Sequence, residues 1–237
     1  MVVNNLHCQT CGFKQDSLFC GLAAQLLDNL DKAKSAVEYK PGQIIFYEGS
    51  PPLAIYCIKS GSVKLYKTGG KGEEQVIRLL GPGDIIGYRA LLSQEPFAAT
   101  AETITKSVIC TIPKDMLLEI LRKSPEQNLR LLKKLSVELR ISEELLLSRT
   151  QESVLQRTAR FLLFFSQGIS HSEGENRPLS IPLKRKDLAQ LIGTSPETLS
   201  RTLKELASRQ ILMVNRTQIV IKNQEALQKI ISRFKKN

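Results

Sequence analysis

Two histidines, His7 and His171, are all that the 237-residue chain contains. Neither falls in a run that reads as a strand. Metal oxygenases built on small β-barrels need two or three histidines and a carboxylate around one ion, so that enzyme class is excluded. Gly-x-Ser-x-Gly and P-loop patterns are also missing. Gly69-Gly70-Lys71-Gly72 is glycine-rich but lacks the P-loop spacing. The chain is therefore read as no enzyme. No apolar run approaches the ~18–20 residues of a membrane-spanning helix. The first residues, with Asn4, Asn5, His7 and Gln9, have no secretion-signal core. A cytoplasmic protein without a membrane partner is expected. Cysteine is sparse and odd in number: Cys8, Cys11, Cys20, Cys57 and Cys110. That argues against a disulfide framework. Three of the five crowd the first twenty residues, which raises metal binding.

Of what is present, charge is the most uneven. The net charge is +11, and residues 155–237 hold 15 Lys and Arg against 6 Asp and Glu. The C-terminal third thus carries nearly all the excess. A local basic excess is the electrostatic footprint of a polyanion partner, although a well-solvated surface gives the same count. Hydrophobic residues make up 42% of the chain, enough to bury a core.

The pattern changes along the chain. Residues 1–20 form a Cys-bearing segment. Residues 21–36 predict a short helix with Leu22, Leu26, Leu27 and Leu30 on one face. From Val37 to Pro113, short apolar or alternating runs are separated by turn signals such as Pro41-Gly42, Ser60-Gly61 and Gly81-Pro82-Gly83-Asp84. Many short strands at this spacing predict an antiparallel sandwich or barrel. Ser124-Pro125 then opens a long helix to about Thr150. Leu129, Leu132, Leu135, Leu139, Ser142 and Leu146 recur along it at steps of three and four. Such a seam suits a homodimer interface; packing on the chain's own barrel is the alternative. The other face carries Lys133, Lys134, Glu138, Arg140, Glu143 and Glu144. A second helix is predicted over 154–167. The domain reading is 1–20 segment, 21–123 barrel, 124–150 helix and 151–237 DNA-binding unit.

Arg185–Leu206 carries the most specific motif. A helix over 185–192 ends at Gly193, where a residue without Cβ can take positive φ. Ser195 is a good N-cap and Pro196 suits the first helical position. A second helix follows over 196–208. Small Ala189, turn Gly193 and apolar Leu199 are the types a tight helix-turn-helix needs. On the second helix, Leu199, Leu203 and Leu206 form an inward face. Glu197, Ser200, Arg201 and Lys204 form an outward one. Arg reads guanine O6 and N7, and Glu accepts from cytosine N4. Ser195, Thr198 and Ser200 can reach base or phosphate. Lys184, Lys186 and Lys204 are assigned to phosphate. Two β-rich runs around Asn215-Arg216-Thr217 predict a wing, with Arg216 at its tip. Double-stranded DNA is the expected partner.

Barrel, long dimer helix and winged helix-turn-helix in this order resemble the CRP/FNR transcription regulators over essentially the whole chain. Gly81-Pro82-Gly83-Asp84-Ile85-Ile86-Gly87 looks like their barrel signature, and Thr194–Arg201 like their recognition helix. The fold implied is α+β: a cyclic-nucleotide-binding-like jelly roll, the dimerisation helix and the winged domain. Glu197-x-x-Ser200-Arg201 is similar to the FNR branch, whose members read TTGAT-like half-sites.

The resemblance also bears on what is sensed. A cyclic-nucleotide pocket in this family uses a Glu, and an Arg beside Ser or Thr. Tyr88 stands where the Glu would, and Phe97-Ala98 replaces the pair. Cyclic AMP is therefore not expected, because its phosphate would be left unpaired. The FNR branch holds a four-iron four-sulfur cluster on four cysteines. Cys8, Cys11 and Cys110 match its pattern, while eight residues separate Cys20 from Cys11, more than in that branch. The resemblance names Cys8, Cys11, Cys20 and Cys110 as candidate ligands; zinc would suit the same set. Cys57 reads as core. The resemblance implies RNA polymerase as a partner, met by the Gly69–Gly72 tip. A haem- or metabolite-binding sensor acting through protein partners is the alternative function.

Overall fold

In the computed structural model, residues 7–11, 17–70, 72–169, 183–215 and 219–232 are described. The chain divides into two compact units, 1–139 and 140–237.

The first unit begins with a 3-10 turn, Cys8–Thr10, and helix α1, Ala24–Ala33. Eight strands follow: β1 Ser35–Tyr39, β2 Ile44–Phe46, β3 Ala54–Ser60, β4 Val63–Thr68, β5 Glu74–Leu80, β6 Ile85–Ile86, β7 Thr100–Thr103 and β8 Ser107–Pro113. They form two four-stranded antiparallel sheets, ordered β1-β8-β3-β6 and β2-β7-β4-β5. Helix α2, Tyr88–Ser93, lies between β6 and β7, and α3, Lys114–Lys123, follows β8. The sheets do not close into one barrel. They are sealed by Phe46, Ile58, Val63, Leu80, Ile86, Phe97, Ala101 and Ile109 between them.

Alternation along β3 and β8 assigns the remaining side chains to the opposite face. Ile55 and Ile112 point there, into a second core with Leu26, Leu27 and Leu30 of α1 and Met116, Leu117 and Ile120 of α3. Cys57 and Cys110, directly paired across the two strands, share that outward face. The sequence predicts a helix to residue 36. The observed helix stops at Ala33, because Ser35–Tyr39 pair with Ser107–Thr111 in the sheet.

Helix α4 spans Pro125–Gln151. Leu131 is buried and Leu135 half-buried against the first unit's core. Leu129, Leu132, Leu139 and Leu146 are exposed, at 66%, 58%, 62% and 68%, and Ser142 is exposed too. Of the expected seam, Leu135 therefore contributes to the chain's own core. Glu138, expected on a solvated face, is instead drawn inward: its side chain is 11% exposed and pairs with Arg78 of β5.

The second unit holds the end of α4, then α5 Val154–Ile169, α6 Arg185–Ile192, α7 Pro196–Ser208, strands β9 Leu212–Val214 and β10 Ile219–Ile221, and α8 Gln224–Ser232. Its core joins Ala159, Leu162, Leu188, Ala189, Ile192, Leu199, Leu203, Leu206, Leu212, Ile219 and Leu227. Helix α8 was not anticipated from the sequence; it packs on this core through Leu227, Ile230 and Ile231.

Candidate nucleic-acid interface

Helix α6 ends where Gly193 adopts φ +76° and ψ +50°, in the left-handed region. Its N–H and that of Thr194 return to the last turn, the latter to the Ala189 carbonyl at 2.9 Å. This caps the helix and turns the chain within two residues. Ser195 then accepts from the Thr198 N–H at 3.1 Å, as an N-cap does, and Pro196 opens α7. Arg157 of α5 clamps the same turn. Its Nε donates to the Ile192 carbonyl at 2.9 Å and its Nη2 to the Gly193 carbonyl at 3.0 Å. No local pattern in the sequence singles out Arg157, because its partners are backbone carbonyls 35 and 36 positions away.

Helix α7 presents two distinct faces. Leu199, Leu203 and Leu206 are buried, whereas Glu197, Ser200, Arg201 and Lys204 are all exposed. Thr202 is buried as well, its hydroxyl donating to the Thr198 carbonyl at 2.9 Å. The Glu197 carboxyl is held below its usual range by its own backbone N–H, then by the Ser195 hydroxyl, with Arg201 adding to the effect. It is a carboxylate at neutral pH, an acceptor in the first turn of a helix. Ser195 spends its oxygen on the cap, and Thr198 is half-buried. Lys184 and Lys186 are exposed at the start of α6. The β9–β10 ladder forms as expected, while Arg216 lies outside the described residues. An exposed row of acid, hydroxyl, guanidinium and ammonium on a helix anchored by leucines fits the donor and acceptor pattern of a major groove.

Comparison with known proteins agrees with this geometry. Residues 36–124 match a cyclic nucleotide-binding domain and residues 156–230 a Crp-like helix-turn-helix domain. The chain belongs to the CRP/FNR family. The anaerobic regulatory protein of Pasteurella multocida is 29% identical over 233 residues, covering 98% of this chain and 85% of that protein. HlyX of Actinobacillus pleuropneumoniae is 29% identical over 225 residues, covering 94% and 92%. Among solved structures, FixK2 of Bradyrhizobium japonicum superposes with a TM-score of 0.75 at 25% identity, covering 83% of this chain and 96% of that one. The similarity to anaerobic regulators puts this CRP/FNR chain nearer the FNR branch. It is a DNA-binding transcription regulator with an N-terminal sensory domain, and regulators of this type bind DNA as dimers.

In the sensory half of this CRP/FNR regulator stands Phe97, which the resemblance aligns with the cyclic-phosphate pair. It is buried and stacked on Phe46 at 3.9 Å between ring centroids. Arg89 is exposed. Gly87 takes φ +88° ahead of Tyr88, and a Cβ there would come within 3.3 Å of the Ala54 carbonyl oxygen. Tyr88 is 3% exposed. Its hydroxyl lies beside Glu138, whose carboxylate meets Arg78 Nη1 at 2.9 Å and Lys134 Nζ at 3.4 Å. Burial alone would push the Glu138 carboxyl up. The Arg78 hydrogen bond, with the neighbouring Tyr88 hydroxyl and the Arg78 and Lys134 charges, outweighs it and holds the group below its usual range.

The candidate iron–sulfur ligands do not gather as one set. Cys8 sits at the C-terminal end of α1, its N–H donating to Asp31 Oδ1 at 2.8 Å. Burial, then the Asp31 carboxylate, push its thiol up to about 11. Cys20 precedes the other end of α1, and its carbonyl accepts from Gln127 Nε2 at 2.8 Å, beyond the far end of α3. Cys110 precedes the near end of α3. A ten-residue helix rises roughly 15 Å, so Cys20 stands a helix length from Cys8 and Cys110. Among the described residues, no three His, Cys, Asp or Glu side chains are grouped to hold a metal ion. The quartet Cys8, Cys11, Cys20 and Cys110 does not fit a four-thiolate centre here.

Proposed function

We propose that this regulator binds, as a homodimer, a palindromic site with TTGAT-like half-sites, each subunit seating α7 in a major groove. The exposed row Glu197, Ser200, Arg201 and Lys204 above buried leucines carries this reading. Arg201 takes a guanine edge, Glu197 a cytosine amine and Ser200 a base or phosphate. Lys184, Lys186 and Lys204 take phosphates, and Arg216 joins them from the wing. Leu129, Leu132, Leu139, Ser142 and Leu146 form the seam between α4 helices; their exposure supports it, since leucines in water gain most from a partner. Two-fold symmetry sets the half-sites about one turn, ~34 Å, apart.

The signal enters through the first unit, and the phosphate place filled by stacked Phe97 argues against a cyclic nucleotide. The protein works in the cytoplasm with RNA polymerase, which the β4–β5 tip at Gly69–Gly72 meets. No helix among the described residues is long and apolar enough to cross a membrane. Fluorescence anisotropy with a TTGAT palindrome against a scrambled duplex of equal length tests the DNA reading. Specific binding should exceed non-specific binding by at least about a thousandfold; equal affinity for both duplexes would overturn it.

A further inference from the structure

We infer that Arg149, in the last turn of α4, takes a DNA backbone phosphate, so that the long helix itself touches the duplex beside the helix-turn-helix. Arg149 and the helix-turn-helix both belong to the second unit. The Arg149 side chain lies against the α6–α7 turn: a Cβ added to Gly193 would stand 3.6 Å from Arg149 Nε and 3.9 Å from its Cγ. Arg149 and Gly193 are both exposed, so this side of the turn faces water. Its place relative to a duplex follows from the motif. The first helix of a helix-turn-helix crosses the DNA backbone and the second enters the major groove. The turn between them therefore sits at the rim of the groove, where the phosphates run, and Arg149 sits with it.

The groups around Arg149 leave its charge uncompensated. The carbonyls that close α6 are taken by Arg157, whose Nε and Nη2 donate to Ile192 and Gly193 and whose Nη1 donates to the Glu152 carbonyl at 2.7 Å. Glu152 is the acidic residue nearest to Arg149 in the chain. Its side chain is only 13% exposed and is held by Arg160 and the Ser148 hydroxyl. Glu197, in the first turn of α7, is acted on by the charge of Arg201. Among the described residues, no carboxylate pairs with Arg149. Two guanidinium groups, those of Arg149 and Arg157, thus meet the same exposed turn residue. Like charges so placed repel, and an anion between them removes the cost. A phosphate does this best, since a guanidinium can donate to two of its oxygens at once.

This inference rests on the proposed seating of α7 in a major groove, and the experiment separates the two. The full chain, unaltered and as Arg149→Gln, Arg149→Lys and Lys204→Ala, is titrated by anisotropy onto the TTGAT palindrome and the scrambled duplex at salt from about 50 to 200 mM. Each phosphate contact contributes about 0.9 to the slope of log K against log salt, so each one lost should shrink the fall in affinity over that range by about threefold. Arg149→Gln should show this loss on both duplexes alike, with its unfolding midpoint and its half-site base preference unchanged. Arg149→Lys keeps the charge and should keep most of the slope. Ethylation interference on the palindrome gives a second readout: one phosphate in each half-site whose ethylation hinders the unaltered protein should no longer matter to Arg149→Gln. A full slope in Arg149→Gln beside a lowered slope in Lys204→Ala would overturn the role of Arg149 alone. A lowered unfolding midpoint, an altered base preference or an unchanged ethylation pattern in Arg149→Gln would do the same. Full slopes in both variants would overturn the seating of α7 as well. Equal affinity of the unaltered protein for the two duplexes would overturn base reading only, and the slopes on the scrambled duplex would still decide for or against Arg149.

Discussion

Two arginines in the second unit do opposite work. Arg201 is exposed on α7, whereas Arg157 spends its guanidinium on the carbonyls of the α6–α7 turn. Arg201→Ala should therefore leave stability unchanged within about 0.5 kcal/mol. It should cost about 1–3 kcal/mol of specific DNA affinity and relax preference at one guanine. Anisotropy with duplexes changed at each half-site base reads this, and a uniform loss on all sequences would refute base reading. Arg157→Ala should instead lower stability by about 1–3 kcal/mol, since charge-assisted bonds to three carbonyls are lost. Its DNA affinity should fall without change of base preference, because the turn that aims α7 loosens. Urea denaturation beside the same anisotropy series separates the two. Gly193→Ala belongs with Arg157: at φ +76° a Cβ is strained whatever the space around it, and about 1 kcal/mol or more should be lost.

At the scale of elements, the helix-turn-helix was legible to the residue, with both helices bounded as the sequence predicts. Its rules are local: a cap, a proline, a glycine and leucines at helical spacing. The long helix was legible as a helix but not in all its faces. Leu135 and Glu138 lie where periodicity cannot decide between a partner and the chain's own sheet. Cys57, read as core, does pack against the first unit's core. Alternation places it beside Ile55, but only the pairing of β3 with β8 brings it opposite Cys110. The Arg78–Glu138 pair gives the α4 contact a pH signature. Glu138 titrates below its usual range in the fold. Its charged form therefore stabilises the protein above the unfolded-state pKa, near 4.3, and that contribution is lost as pH falls through the folded-state value. Glu138→Gln should cost about 1 kcal/mol at pH 7, and the gap from the unaltered protein should begin to close only below the unfolded-state value and vanish as pH falls through the lower folded-state one. A gap that is constant with pH would assign the loss to packing rather than charge.

For the whole molecule, charge and symmetry must act together. Of the +11 net charge, +9 lies in residues 155–237, so a dimer brings two basic faces to one polyanion. Phosphate contacts release counterions, and log K falls with log salt by about 0.9 for each phosphate neutralised on duplex DNA. Lys204 is exposed on α7 next to the reading row. Lys204→Ala should weaken binding on every sequence alike and lower the salt slope by about 1 for each subunit on the duplex. That slope also counts subunits. If the exposed leucines of α4 pair two chains, Leu139→Arg should shift sedimentation toward monomer, since an arginine at the seam must lose its hydration to be buried. The monomer holds half the phosphate contacts, so its salt slope should be about half that of the dimer. A Leu139→Arg protein that stays dimeric and keeps the full slope would remove α4 from the assembly and leave α7 to bind DNA through some other pairing of subunits.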